Sequence, residues 1–526
     1  MSKEIERVMK NNTVSVGLDI GTTKILVMVG RRKADGSVEI IGVGQSPSTG
    51  VSKGAIQNIS KTISGIREAV VQAEQSSGVK IEEVTVGIAG QYIRSVRQTD
   101  YITRENPQRV IDQADIDRLT ERVLKTPLSD HERIIHVLPQ EYKVDADAGI
   151  IEPVGMSGQR LEATFHVIIG QVAPLLNVKR CVEGAGLRLA GLKLEPIASA
   201  DATLTEEEKE AGVVLVDIGG GTTDMVIFRD NLVRYSAVVP YGGKVVTNDI
   251  KEACSILGRY AEKLKTQFGS TWPGANLDTD VVSIPVIQGL PPKEISMKTL
   301  SRVIYARMDE IMDDINAEIA NYRQIEPNKN LIAGVVITGG GALLKHLPQF
   351  VLFKTQMSCR IGYPNIYLSE ENRECLTSPA YSTCIGLVLN GLKDVVAEDP
   401  SLEEQVVQSS VDMLEKETVE LPIDEVLTSM HAVNVPSLAQ EPEVEVRKPR
   451  EEENPYSYRS DDTMEVFQQK VEIRVEKEEE EEEEEEEIQP QPKKEDKAPE
   501  KVQKKDKKGW DKKIERTIFD FLKKIE

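Results

Sequence analysis

Two stretches of this chain share one unusual pattern. VSVGLDIGTTKILVMV at residues 14–29 and VVLVDIGGGTTDMVIF at 213–228 each run apolar strand, aspartate, glycine-threonine turn, apolar strand. They stand roughly 200 residues apart, so the pattern is an internal repeat and predicts two similar lobes facing one another. Each turn suits an anion. Glycine removes the Cβ that would hold a phosphate away from the backbone, and successive N–H groups form an anion nest. In the first turn Asp19 precedes Gly21, Thr22, Thr23 and Lys24. In the second, Asp217 precedes Gly219, Gly220, Gly221, Thr222 and Thr223, with Asp224 just beyond. Three adjacent glycines between strands carry an entropic cost, and close approach of a ligand is a usual reason for one.

A third turn, Gly339-Gly340-Gly341, lies between the apolar strand GVVIT and the helix that begins near LLKHL. Neither a GxxxxGK[ST] loop nor a GxGxxG fingerprint is present, so the chain has neither a Walker nor a Rossmann phosphate site. Helical spacing of Ile59, Thr62, Ile63, Ile66, Ala69, Val70 and Ala73 predicts a helix with one buried face. Residues 91–165 are more polar and read as an insertion containing the capped helix DQADIDRLTERVL. The core pattern then restarts with HVIIG at 166–170, and residues 248–300 read as a second insertion.

Charge separates the folded part from the rest. The formal net charge is -22 over 526 residues. About -23 of it falls in residues 398–500, about +5 in 501–526, and the first 397 residues are near neutral. The acidic region includes ten consecutive glutamates, Glu478 to Glu487. Such sequence buries too little apolar surface to fold and is expected to be a disordered linker. At about 110 residues its r.m.s. span would be roughly 55–60 Å. The five cysteines, at 181, 254, 359, 375 and 384, form no CxxC pair and read as free thiols. No secretory signal core and no apolar run of about 18 residues occurs, so no spanning segment is expected.

The order of the three turns resembles the actin, Hsp70 and sugar kinase superfamily. Within it the chain is similar to the FtsA family of bacterial cell division. The features are the segment HVLPQEYKVDADAGIIEPVGMSGQRLEATFHVIIG at 136–170, the run Val246-Thr247-Asn248-Asp249-Ile250, and an actin-like body followed by a linker and a short amphipathic helix. The resemblance implies an α/β fold: a two-lobed actin-like ATPase with an inserted subdomain in each lobe. Residues 12–90 and 166–200 would form the first core and 91–165 its insertion. Residues 201–247 and 301–396 would form the second core and 248–300 its insertion. Residues 397–508 would be the disordered acidic linker and 509–526 the membrane-targeting helix. By the same resemblance, ATP with Mg²⁺ would be the cofactor. Asp19, Asp217 and Asp224 would be the catalytic acids, with Asp19 and Asp217 reaching the metal through water. Thr22 and Thr223 would add hydroxyl donors. Glu262 and Lys265, in an A-E-x-x-K pattern, would serve the ribose and adenine. Hydrolysis could be weak or regulatory.

The family's partners would be the C-terminal peptide of the tubulin-like FtsZ at the second insertion, further copies of the chain through the first, anionic lipids, and other division proteins. Nucleic acid is not expected. The implied place is peripheral, on the cytoplasmic face of the inner membrane at the division site. A small-molecule kinase or a chaperone ATPase of the same fold are the rivals. A kinase has no use for a linker and tail, and a chaperone needs a substrate domain that the polar region 398–508 cannot form.

The last residues carry their own signal. Trp510, Ile514, Ile518, Phe521, Leu522 and Ile525 share one helical face, with Lys512, Lys513, Arg516, Lys523 and Lys524 around it. A short basic amphipathic helix lies in the membrane interface rather than across it. Partial burial of six apolar side chains would gain on the order of 5–10 kcal/mol before the cost of ordering the helix. One tail should therefore hold weakly and several on one polymer strongly. Trp510→Glu with Phe521→Glu is expected to abolish flotation with anionic vesicles. A chain ending at Gly509 that floats as well as the full chain would disprove the anchor.

Overall fold

A computed structural model describes residues 14–394, apart from residues 34, 278, 286–291, 328 and 374. The expected linker, the glutamate run and the amphipathic tail, with Trp510, Ile514, Ile518, Phe521, Leu522 and Ile525, lie outside the described residues.

The first repeat folds as a meander: β1 (Val14–Ile20), β2 (Lys24–Arg32) and β3 (Val38–Pro47). A two-residue hairpin, β4 (Val51–Ser52) and β5 (Ala55–Ile56), leads to α1 (Ile59–Ser77). Asn58 caps this helix by accepting from Lys61 N, and Gly78 ends it at φ 70°. Its buried face is Thr62, Gly65, Ile66, Ala69, Val70 and Ala73, following the apolar spacing. Strand β6 (Glu83–Ile88) then pairs parallel to β1.

The insertion comprises β7 (Ile93–Thr103), α2 (Gln113–Leu124), β8 (Glu132–Val144), β9 (Asp147–Ile150) and β10 (Arg160–Gln171). Its sheet runs β7-β10-β8-β9 and its core is built on Leu119, Leu161, Phe165 and Val167. Residues 166–170, expected to open a core strand, are instead the second half of β10. They pair with residues 93–97 of β7. The insertion therefore continues past 165, because one ladder holds both halves of the strand.

Helix α3 (Val172–Ala185) and β11 (Arg188–Leu194) complete the first sheet, ordered β11-β6-β1-β2-β3. Helices α4 (Glu195–Thr203) and α5 (Glu206–Ala211) lead into the second repeat, β12 (Val213–Ile218), β13 (Thr223–Arg229) and β14 (Leu232–Val239). There follow α6 (Gly243–Cys254), α7 (Gly258–Phe268), the hairpin β15 (Val281–Ile284) and β16 (Lys293–Ser296), and α8 (Met297–Ile325). Strand β17 (Gly334–Thr338), α9 (Leu347–Thr355), β18 (Cys359–Ile361), α10 (Glu370–Arg373) and α11 (Ser382–Asp394) close the described chain. The second sheet, β14-β13-β12-β17-β18, has the same order as the first: an antiparallel meander, then two strands parallel to its first member. The sequence repeat is thus a repeat of whole sheets.

Helix α11 departs from expectation. Residues 382–394, expected within the second core, pack on the first sheet. Cys384, Ile385, Val388, Leu389 and Leu392 share a core with Leu26, Met28, Ile40 and Val43. Near Gly386 the helix crosses α4 so closely that a Cβ there would collide with the Ala198 carbonyl. The apolar face of α11 matches the open face of the first sheet, which decides where it docks. All five cysteines are free thiols.

The insertion holds a buried ion pair. Arg104 Nε donates to Asp115 Oδ2 at 2.9 Å, both side chains 3% exposed, and the guanidinium also donates to the carbonyls of Gly158, Arg109 and Val110. Asp115 is also the third residue of the capping box that opens α2. Arg118 also donates to Asp115 from the surface, so removing Arg104 leaves the carboxylate one exposed partner but strands three carbonyl acceptors. Arg104→Ala is expected to cost about 2–4 kcal/mol in urea unfolding. A loss under about 1 kcal/mol would mean that the pair is not a fastener.

Candidate functional site

The two repeated turns face one another. In the first hairpin Ile20 pairs with Ile25 and Asp19 with Leu26, so the turn is Gly21 to Lys24. In the second, Ile218 pairs with Thr223 and Asp217 with Asp224, so the turn is Gly219 to Thr222. The ladders align the two aspartates but offset the threonine pairs by two residues. Leu26 thus occupies the place of Asp224, and the second hairpin alone carries two facing acids. A Cβ on Gly220 would strike Thr23, and one on Gly221 would strike Thr22. The approach that these glycines permit is therefore that of the opposite turn. Gly54 N donates to Thr22 Oγ1 at 3.2 Å.

The third turn closes over Asp217. Gly339 takes φ 81°, and a Cβ there would collide with Asp217 Oδ1. Gly341 packs on Ile218, whereas Gly340 is exposed, with only Ala380 Cβ as near as 4.0 Å to a Cβ. Helix α6 starts against the second turn: Gly243 N donates to Gly219 O at 2.9 Å and Lys244 N to Gly220 O at 2.8 Å. Glu262 and Lys265 come to the same place from α7. Lys265 Nζ donates to Gly243 O, Thr247 Oγ1 and Glu262 Oε2, each at 2.9 Å. All three turns and the Glu262–Lys265 pair thus border one cleft.

Two expected donors are already engaged. Thr223 is fully buried and its hydroxyl donates to Tyr241 O at 2.9 Å, so it fastens the lobe instead of offering a free donor. Lys24 Nζ donates to Ala380 O at 2.7 Å and lies 4.7 Å from the centre of the Tyr381 ring. Lys24 thus braces the segment ahead of α11.

The cleft is electrostatically unbalanced. Burial pushes Asp19 up to about 6; Lys24 opposes the shift and Asp217 adds to it. Burial pushes Asp224 up to about 7, against the Thr222 hydroxyl and with the charge of Asp217. Burial also raises Asp217, opposed by hydrogen bonds from Ser199 and Thr383. Glu195, at the start of α4, is a fourth carboxyl, raised well above its usual range by burial and by Asp19, Asp224 and Asp217. Its side chain is half-buried and borders a small cleft lined by Ile20, Ile88, Tyr92 and Leu175. Against these acids stands Lys24, whose own pKa burial lowers.

Asp224 Oδ2 accepts from Thr222 Oγ1 at 2.8 Å and the Gly90 N–H also favours the ionised carboxyl, but Oδ1 is buried with no hydrogen bond of good geometry. An orphaned carboxylate oxygen beside surplus negative charge fits a cation. Among the described residues no three acidic, His or Cys side chains converge as direct metal ligands.

Glu195, Ser199 and Thr383 were not legible as site residues. Ser199 Oγ donates to Asp217 Oδ2 at 2.5 Å and Thr383 Oγ1 to the same oxygen at 3.2 Å. EPIASA reads locally as a plain helix start, and no spacing rule links 199, 217 and 383.

A family model described as "Cell division protein FtsA" matches residues 214–386, and one described as "SHS2 domain inserted in FTSA" matches residues 90–169. The chain is 36% identical over 387 residues to the Cell division protein FtsA of Pseudomonas aeruginosa, covering 73% of this chain and 91% of that protein. It is 34% identical over 402 residues to that of Escherichia coli K12, covering 75% and 94%. Among solved structures, a PilM-PilN type IV pilus biogenesis complex is similar in fold, with TM-score 0.52 and 15% identity, covering 72% of this chain and 98% of that one.

The raised acids make stability depend on pH. Asp19 and Asp224 hold protons in the folded state that the unfolded chain gives up above its ordinary value near 3.8. Where the native state binds more protons, stability falls as pH rises. By themselves these two acids lower thermal midpoints between about pH 4 and pH 7, while His136 and His166, held by burial at about 3 and about 4, raise them over the same range, so the wild-type slope is their balance. Asp224→Asn should make that slope more positive, Asp224 alone accounting for on the order of 2–4 kcal/mol across the window. An unchanged slope in differential scanning would contradict the assignment.

Proposed function

Because the chain belongs to the FtsA family of cell-division proteins, we propose that it is an actin-like ATP-binding protein that assembles with its own copies. In this reading it ties the tubulin-like FtsZ ring to the cytoplasmic face of the membrane at the division site. The observation that carries the nucleotide part is the convergence of both Asp-bearing turns and the third glycine turn on one acidic cleft with an orphaned carboxylate oxygen.

Asp19, Asp217 and Asp224 would hold Mg²⁺ through water, and the ion would supply positive charge to the β- and γ-phosphates. The chain's own residues do the rest. The backbones of the two turns cradle phosphate. The Glu262–Lys265 pair and the third turn flank the nucleoside. Glu195, close enough to the acids to feel their charge, would be the further carboxyl available to orient a water at the nucleotide.

Exposed apolar residues support the partner sites. Tyr101, Val110, Ile151 and Val154 are exposed on the first insertion, where copies would meet. Leu257, Leu277 and Val281 are exposed on the second, where the FtsZ C-terminal peptide would dock. No described helix is long and apolar enough to cross a membrane.

Calorimetry tests the nucleotide reading. The wild-type chain should bind ATP with Mg²⁺. Asp217→Ala should weaken binding at least about tenfold by removing a charged partner. Gly340→Asp should do the same by placing a carboxylate at an exposed point of the cleft that the fold tolerates. Wild-type affinity in both variants would rule the reading out.

A further inference from the structure

We propose that Ser199 and Thr383 are positioning residues for the nucleotide's cation: together they fix the Asp217 carboxylate so that Oδ1 is presented to the hydrated metal. The inference rests on the Mg²⁺–ATP reading of the cleft and deepens it.

Both hydroxyls reach the same oxygen. Ser199 Oγ lies 2.5 Å and Thr383 Oγ1 3.2 Å from Asp217 Oδ2, and the two hydroxyls are 3.0 Å apart. Ser199 gives its single proton to the carboxylate, and Thr383 can share its own between Oδ2 and the Ser199 oxygen. Oδ2 is thereby occupied and Oδ1 is left for the cleft. Room for Oδ1 comes from Gly339, whose missing side chain would overlap it.

The clamp draws on three separate elements. Ser199 is fully buried on α4, Asp217 is the penultimate residue of β12, and Thr383 is the second residue of α11. The close crossing at Gly386 and Ala198 sets α4 against α11, and so sets the spacing of the two hydroxyls. Just ahead of α11, Lys24 holds the Ala380 carbonyl, tying the same segment to the first turn. Hydroxyls that donate to an ionised carboxylate make charge-assisted bonds and restrict its rotation. A carboxylate that binds metal through water depends on that restriction, because its oxygen must meet a water at a fixed place.

Calorimetric ATP titrations of the full chain at several Mg²⁺ concentrations and in EDTA separate this role from simple packing. Ser199→Ala and Thr383→Val should each raise the Mg²⁺ concentration for half-maximal ATP affinity about tenfold, while affinity in EDTA changes less than about twofold. Thr383→Ser, which keeps the hydroxyl, should restore the wild-type Mg²⁺ dependence. Midpoints measured without nucleotide identify variants that fold. If folded Ser199→Ala and Thr383→Val keep the wild-type Mg²⁺ dependence, or lose affinity equally with and without metal, the positioning role is overturned. If Thr383→Ser behaves as Thr383→Val, the hydroxyl is not the cause and the proposal also falls. A wild-type chain whose ATP affinity ignores Mg²⁺ would instead remove the underlying reading.

Discussion

The structure turns on a patch of like charge at the meeting of two hairpins. Asp19, Asp217, Asp224 and Glu195 are brought together beside the Lys24 ammonium, and burial raises all four carboxyls. Such a cluster opposes folding by itself, since each desolvated charge disfavours the next. It persists because the packing around it is strong. The apolar strands β1, β2, β12 and β13 are almost wholly buried, and helices α4 and α11 cross behind them. On the proposed reading, relief of that repulsion is what a cation, and a nucleotide with it, would gain on binding.

The insertion in the first lobe is tied into the second lobe. Gln140 Nε2 donates to Val233 O at 2.6 Å, and Arg234 Nη1 returns a bond to Gln140 O at 3.0 Å. Ser95 Oγ donates to Ser236 O at 3.2 Å, and the His166 ring meets the Ser236 hydroxyl at 3.1 Å. Burial holds His166 down at about 4, so this contact is between neutral groups at ordinary pH. Strand β14, which takes part in all these bonds, pairs with β13, the strand that carries Asp224. The first insertion is thus joined, through β14, to that strand.

The glycines show how one residue type serves different physics. Gly339 is required by its backbone angle and by the oxygen beside it. Gly220 and Gly221 are required by the opposing turn rather than by an angle. Gly340 has open space around it, so only what enters the cleft constrains it. All look equivalent in a one-dimensional reading of GGG.

The sequence by itself determined the duplicated Asp-bearing turns, the helical face of α1, the capped helix of the insertion and the three acids, because each is a local pattern of spacing and residue type. Its family resemblance gave the two-lobed fold. Tertiary structure decided the rest, where distant segments compete for one surface. The apolar face of α11 fits the first sheet, so residues 382–394 left the lobe to which chain order assigned them. The ladder of β10 ran on past residue 165, because a hydrogen-bonded strand does not stop where composition changes. Thr223 spent its hydroxyl on Tyr241, while Ser199, Thr383 and Glu195 gathered at Asp217 and its neighbours from other elements. Convergence of that kind depends on helix crossings and sheet order, which spacing along the chain does not encode.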